Sequence, residues 1–343
     1  GTGIGKPSVA LSEVGWTPEN GLCMPQLTAK KYQLTFIAGV TMKVDDINFK
    51  FFHINKWDNG EFKGDAISTT SELVKISSDG NLGLEEGQKF ERGGIYRFTV
   101  DVTKGNTKAV LTVEKVGKVD LPAPDILFGN SKMEVTDTDI YKSEQVFTQG
   151  QMITVTGIDN LNEWWIDPDF FEKQSDGALK FLPINGDYRV TANAVLKYFS
   201  VMALKDGKPA KLQDDGTGAI WAIGKGIGKP SVTSSEVGWE PGKALCLAQV
   251  APKKYQLTLK AGETLKTSGD PEVISFKFFH QNDWGGEFGN YASSILVEQL
   301  KLADSGNLEM QDNKAFEEGA VYRFTIDVTN GNANADLKVE KIN

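Results

Sequence analysis

The chain has 343 residues, a formal net charge of −9 and a pI near 5.0, with 40% hydrophobic and 24% charged residues. An acidic balance works against phosphate backbones and anionic lipid faces, which reward clustered Lys and Arg, so nucleic acid and membrane surfaces are not expected partners. The length exceeds what one core fills, and no apolar run reaches the length of a bilayer span.

The opening GTGIGKPSV carries neither a basic n-region nor an apolar h-region. It superficially suggests a phosphate loop, but Pro7 stands where Ser or Thr is required, and the later copy has Ile223 in place of the first glycine. Residues 4–39 return as residues 227–262, identical at 23 of 36 positions without a gap. A duplication that includes surface-type residues implies a copied surface as well as a copied core. Trp16 and Trp239 fall in matching Val-Gly-Trp turns. Cys23 and Cys246 recur at one place in each copy, so two buried free thiols are expected rather than a bridge. The stretch 219–224 ahead of the later copy reads as a strand with no counterpart before Ile4. The expectation is a processed or trimmed chain whose first module lacks its opening strand and any export signal.

Phe49-Lys50-Phe51-Phe52-His53 and Phe276-Lys277-Phe278-Phe279-His280 read as strands, each leading into a polar, Gly-containing loop that holds Trp57 or Trp284. Ser78-Asp79-Gly80-Asn81-Leu82 and Ser305-Gly306-Asn307-Leu308 mark hairpin turns that need positive φ. Both copies close on strictly alternating strands, 94–103 and 319–329, with Tyr, Phe and Val on one face and Arg, Thr and Asp on the other. Last strands follow at 109–113 and 335–339. Between the copies, Gly186-Asp187-Tyr188-Arg189-Val190-Thr191 repeats the Gly-x-Tyr-Arg-x-Thr signature, and 196–201 supplies a final strand, which makes the middle a third, diverged copy. A segment stiffened by Pro122 and Pro124 and a polar stretch at 208–218 bound it. The predicted class is all-β: three tandem antiparallel β-sandwich domains of immunoglobulin-like or carbohydrate-binding-module-like type, at 1–117, 118–217 and 218–343.

The chemistry-bearing candidates are aromatic. Trp16 with Trp57, and Trp239 with Trp284, place two indoles in the turns of each outer module. A flat ring there can lie against the apolar face of a pyranose while polar neighbours bond its hydroxyls. The competing reading is that such tryptophans plug the ends of a sandwich core, and for Trp16 and Trp239 both readings stand open. The polar, flexible flanks of Trp57 (Asn55, Lys56, Asp58, Asn59) and Trp284 favour a ligand. Lys50 and Lys277 alternate with inward Phe residues and so project from the opposite face, to a sugar hydroxyl or to solvent. His53 and His280 are read as structural rather than as metal ligands. Arg97, Arg189 and Arg323 are read as structural, pairing with carboxylates such as Asp101 or Asp327. In the middle, Trp164 and Trp165 sit among Asp167, Asp169, Phe170 and Phe171. Adjacent strand residues face opposite ways, so one indole anchors the core while its neighbour points out to a third site. A calcium site at the two aspartates lacks further visible oxygen ligands. No Gly-x-Ser-x-Gly, His-Glu-x-x-His or Cys-x-x-Cys occurs, and no cofactor is called for.

The Trp-containing turns, the Phe-Lys-Phe strands before a tryptophan loop, the closing Gly-x-Tyr-Arg-Phe-Thr-Val-Asp strands and Ile220-Trp221-Ala222-Ile223-Gly224 together resemble the tandem carbohydrate-binding modules of SusE- and SusF-type outer-membrane lipoproteins. The resemblance spans both outer modules and, more faintly, the middle one. It implies lipid anchoring at the outer membrane of a Bacteroidetes-type bacterium and display of glycan, starch-like in the family pattern, beside a transport complex. On matching positions it nominates Trp57, Lys50 and Asn55, and Trp284, Lys277 and Asn282. The chain departs from that pattern in a longer connection between opening strand and Gly-Trp turn, which includes the Ile-Gly-Lys-Pro-Ser insert. The expected function is non-catalytic, polyvalent binding of a neutral polysaccharide or oligosaccharide at the cell surface. The alternatives are a structural or protein-interaction array of immunoglobulin-like domains, and a glycoside hydrolase.

Overall fold

The computed structural model describes residues 1–57, 59–121, 124–137, 139–267 and 273–343. Asp58, named above as a flank of Trp57, and Pro122, named as a linker stiffener, lie outside the described residues. The fold is all-β, as expected, and divides into two compact units: residues 1–124 with 134–141, and residues 125–133 with 142–343.

In the first unit, alternation builds one sheet in the order Gln26–Thr28, Lys31–Ile37, Gly94–Asp101, Ala109–Lys118 and Ile67–Thr69, the last pair parallel. Leu34, Phe36, Tyr96, Phe98 and Val100 turn inward, while Gln33, Thr35, Arg97 and Thr99 turn outward. The facing layer is formed by bridges Thr2 to Asn48 and Phe49 to Leu82, and by the hairpin Val74–Ile76 and Leu82–Leu84. That hairpin turns where its sequence predicted, with Gly80 at φ 86°. Phe36, Phe49, Phe51, Phe90 and Phe98 interlock between the layers, Phe36 meeting Phe98 edge-on at 5.4 Å. Burying several such rings, each worth about 1.5–3 kcal/mol, drives the sandwich together.

The second unit contains two sandwiches. One is built on the hairpin Gly186–Asn193 and Tyr198–Lys205, extended by Lys208–Pro209, over the short strands Leu127–Phe128, Met152–Ile153, Phe171–Lys173 and Leu179–Phe181. Its core gathers Phe128, Phe147, Phe171, Phe181 and Phe199. The other repeats the first unit's sheet as Ala248–Ala251, Lys254–Lys260, Val321–Asp327, Asp336–Lys341 and Ser293–Ile295. Its second sheet runs Glu236–Gly238, Trp221–Gly228, Ser275–Phe279, Leu308–Met310 and Leu300–Leu302, with Leu245–Cys246 added to Trp221.

Trp221–Gly228 is the strand anticipated at 219–224, shifted by two residues. The Trp221 ring is buried, and its Nε1 donates to the Ala210 carbonyl at 3.0 Å. In the first unit the corresponding edge carries isolated bridges, Thr2 to Asn48 and Ile4 to Met42, among the described residues. A cavity of about 620 Å³ in this module is lined by Ile4, Leu34, Phe36, Phe49, Phe51 and Cys23, among others.

The two cysteines correct one expectation. Cys246 pairs with Trp221 and is buried, whereas Cys23 is exposed. A second correction concerns Arg97 and Arg323. Asp101 and Asp327 pair with Lys31 and Lys254, directly opposite in register and 3.1 Å away, while Arg189 pairs with Glu144 at 2.8 Å.

Candidate functional site: a duplicated aromatic pair

The Val-Gly-Trp turn and the loop after the Phe-Lys-Phe-Phe segment, a strand in the third module and a bridged stretch in the first, converge in each outer module. Gly15 and Gly238 adopt φ of 63° and 59°, a conformation that costs a side chain but not glycine, and this turn carries the indole toward the loop. Trp16 and Trp57 lie 6.4 Å apart between ring centroids and 25° from parallel; Trp239 and Trp284 repeat this at 6.4 Å and 26°. Trp57 is 45% exposed and Trp284 51%, so roughly half of each ring faces solvent while its partner is half-buried. Phe52 and Phe279 support these indoles edge-on at 5.2 and 6.0 Å, which limits their rotation and holds the aromatic surface in place.

Around the first pair the polar groups are specific. The Lys50 side chain is only 8% exposed; its Nζ lies 6.0 Å from the Trp57 ring centroid and 3.8 Å from Glu61. A cation over an indole favours the ring face, and Glu61 offsets the cost of enclosing the ammonium. A cleft of about 590 Å³ beside the pair is lined by Trp16, Trp57, Lys50, Glu61, Lys63, Ser78, Asp79 and Asn81. Within it the Asn81 Oδ1 is buried with no described partner, an acceptor that a ligand hydroxyl can satisfy. Asn55 is exposed and lines the adjoining larger cavity rather than this cleft. In the third module Lys277 and Asn282 are half-buried, and Gln281 Nε2 donates to the Trp284 carbonyl at 2.7 Å, which braces the loop. The His280 ring meets Phe288 edge-on at 4.2 Å, its Nε2 has no described partner, and burial lowers its pKa, so it is a structural side chain.

Sequence reasoning missed Glu61, Ser78, Asp79 and Asn81. Their signal lies in the Gly-Glu-Phe segment around Glu61 and in the Asn-Leu turn, both shared by the two copies, although the turn's sequence is equally explained by hairpin geometry.

The middle pair is corrected. Trp164 is 7% exposed and stacks on Phe199 at 4.7 Å, so it fills the core. Trp165 does turn the other way, but toward the third module: its Nε1 donates to Glu263 at 2.7 Å and Lys229 lies 5.9 Å from its ring. The neighbouring carboxylates are engaged as well. Lys229 donates to both Asp167 oxygens at 2.8 Å and to Asp169 at 3.0 Å, with all three side chains under 8% exposed. Asp169 also accepts from the Thr258 amide and hydroxyl at 2.6 Å and from Gln256 at 2.8 Å. Burial opposes the charge on both aspartates. For Asp169, Lys229 and these donors outweigh burial and hold its carboxyl below the usual range, whereas for Asp167 burial prevails and its pKa rises. The Asp-Pro-Asp loop is thus a plug between two sandwiches, and its oxygens are spent on a lysine instead of calcium.

Residues 1–103 and 215–329, more than half of the chain, match the family described as Domain of unknown function (DUF5121). Residues 119–212 match a second, described as Domain of unknown function (DUF5125). Among curated proteins none matches the chain. The chain belongs to the DUF5121 family, with two copies of that domain flanking one of the other kind.

Proposed function

We propose that this DUF5121-family chain is a non-catalytic, polyvalent glycan-binding protein. The observation that carries the reading is the half-exposed indole pair repeated with the same spacing and tilt in both outer modules. A duplicated flat apolar surface with flanking polar groups suits sugar rings, whose faces are apolar and whose edges are hydroxyls; a single catalytic centre gives no reason for the copy. Covering about 100 Å² of indole at about 25 cal/mol per Å² yields about 2–3 kcal/mol before ordering losses, so each site is weak alone. A polymer that engages both gains through effective concentration.

The ligand is a neutral polysaccharide or its oligosaccharides. The resemblance to SusE- and SusF-type lipoproteins extends the proposal to a lipid-anchored place on the outer surface of a bacterial outer membrane, beside a glycan transport complex. In this reading the first site comprises Trp16, Trp57, Lys50, Glu61 and Asn81, with Asn55 at its margin, and the third-module site comprises Trp239, Trp284, Lys277 and Asn282.

Affinity electrophoresis through gels containing soluble polysaccharides tests this. Retardation is expected in at least one gel, halfway lost in Trp57→Ala or Trp284→Ala and abolished in the double variant. Unretarded migration of the parent chain in every gel rejects the proposal.

A further inference from the structure

The plug described above occupies a socket that the duplication has copied. In the third module the socket consists of the Lys229 ammonium, the Gln256 amide, the Thr258 hydroxyl and the Thr258 backbone N–H, all directed at Asp167 and Asp169 of the middle module. The matching residues of the first module are Lys6, Gln33 and Thr35, identical in type at all three positions. The supporting backbone is the same. Lys31 faces Asp101 as Lys254 faces Asp327, and Thr35 faces Arg97 as Thr258 faces Arg323, so the Thr35 amide points to the same sheet edge as that of Thr258. Gly5 donates to the Thr41 carbonyl and the Ile37 amide to the Thr41 hydroxyl, as Gly228 and Lys260 do with Thr264. The Lys6 Nζ lies 5.8 Å from the Phe36 ring centroid, over the same strand.

Only the occupancy differs. Lys229 and Thr258 are buried, whereas Lys6 and Thr35 are exposed. Among the described residues Lys6 has no ion pair, and the Gln33 amide turns aside to Thr99 at 3.1 Å.

We infer that the Lys6–Gln33–Thr35 face of the first module is a carboxylate-binding socket. Its occupant is an Asp-x-Asp loop on a separate β-sandwich module of the middle kind. Charge complementarity and identical residues already ligating such a loop in the third module identify that chemistry. A second copy of this chain is a poor donor, because its own Asp167 and Asp169 are consumed by its Lys229. One position refines the occupant. Val40 stands where Glu263 receives the Trp165 indole N–H, so the residue two places before the first aspartate should be apolar and carry no donor. The loop presents its carboxylates in a preorganised turn, since Asp167 Oδ1 accepts from the Asp169 amide at 3.0 Å and its carbonyl from Phe170 at 3.1 Å.

The test is lysine acylation of the full chain, read residue by residue by peptide mass spectrometry, with acetyl-Leu-Ile-Asp-Pro-Asp-Phe-amide as the probe. Without peptide, Lys6 should react freely and Lys229, enclosed, should serve as the unreactive internal reference. With saturating peptide, Lys6 acylation should slow by about fivefold or more, with the exposed Lys30 and Lys104 unchanged. The Asn-Pro-Asn version of the peptide should not protect, and Thr35→Val, which removes the hydroxyl from an exposed position, should reduce the protection. Protection by the Asn peptide to the same degree, uniform slowing at all lysines, or no slowing at Lys6 would each overturn the socket.

Discussion

Replacing Lys229 with Met leaves Asp167 and Asp169 facing one another with their neutralising ammonium removed. The aliphatic stem is retained, so packing changes little while the charge is lost. Asp167 loses two contacts of 2.8 Å and Asp169 one of 3.0 Å, at side chains 7% and 1% exposed where water cannot replace them. Removing one partner from a buried ionic cluster costs about 3–5 kcal/mol. For a unit of about 150–250 residues, where 1 kcal/mol moves the midpoint by about 2–4 °C, the expected fall in Tm is about 6–20 °C. Scanning calorimetry of the full chain reads this directly. The repeat supplies its own control: Lys6→Met changes the same residue in the same loop, but at an exposed position, and should stay within about 0.5 kcal/mol of the parent. Equal, small effects of the two substitutions would refute the assignment of the buried cluster as the clamp between the middle and third sandwiches.

Thiol labelling of the native chain should modify Cys23 and spare Cys246 until the protein unfolds, because burial pushes the Cys246 thiol up to about 12 and encloses it; labelling of both at equal rates contradicts the covering strand. Gly224→Ala should destabilise the third module by about 1–3 kcal/mol, since a Cβ there would meet the Phe276 Cα and the Ser275 carbonyl oxygen at 2.4 Å on a backbone with φ 140°. Gly242→Ala, with open space around it, should be neutral by chemical denaturation. Hydrogen bonds from Lys115 and Lys118 lower the Glu91 carboxyl from 4.5 to about 2. Its contribution to stability is therefore present above pH 4.5 and is lost as pH falls through about 2; a carboxyl NMR midpoint near 4.5 would show that the pair does not persist in solution.

The Trp57 and Trp284 loops illustrate how far sequence reasoning reaches. Their polar flanks sufficed to anticipate exposure, because a loop rich in Asn, Asp and Gly has nothing to bury an indole with. Their convergence on Trp16 and Trp239 was not derivable, since the two turns are about forty residues apart in sequence and, in the third module, are brought together because Glu236–Gly238 and Ser275–Phe279 both pair with Trp221–Gly228 in one sheet. Glu61 and Asn81 escaped notice for the same reason: each looks like a turn residue until the adjacent strand sets it beside Lys50. At Trp164 and Trp165 the alternation rule separated the inner ring from the outer one. It could not say that the outer one faces a neighbouring sandwich, because alternation carries no information about what lies beyond the surface.

The order of residues by itself determined the β class, the duplication, the alternating strands and the turn glycines, since each follows from local steric preference and a period of two. Tertiary structure alone decided the environments of the copied residues. Lys6 and Lys229 share their neighbours in sequence, yet one is solvated and the other clamped by two aspartates; Cys23 and Cys246 differ likewise. Burial and charge pairing depend on what a fold brings alongside from distant segments, and a repeated sequence repeats the surface without repeating what covers it.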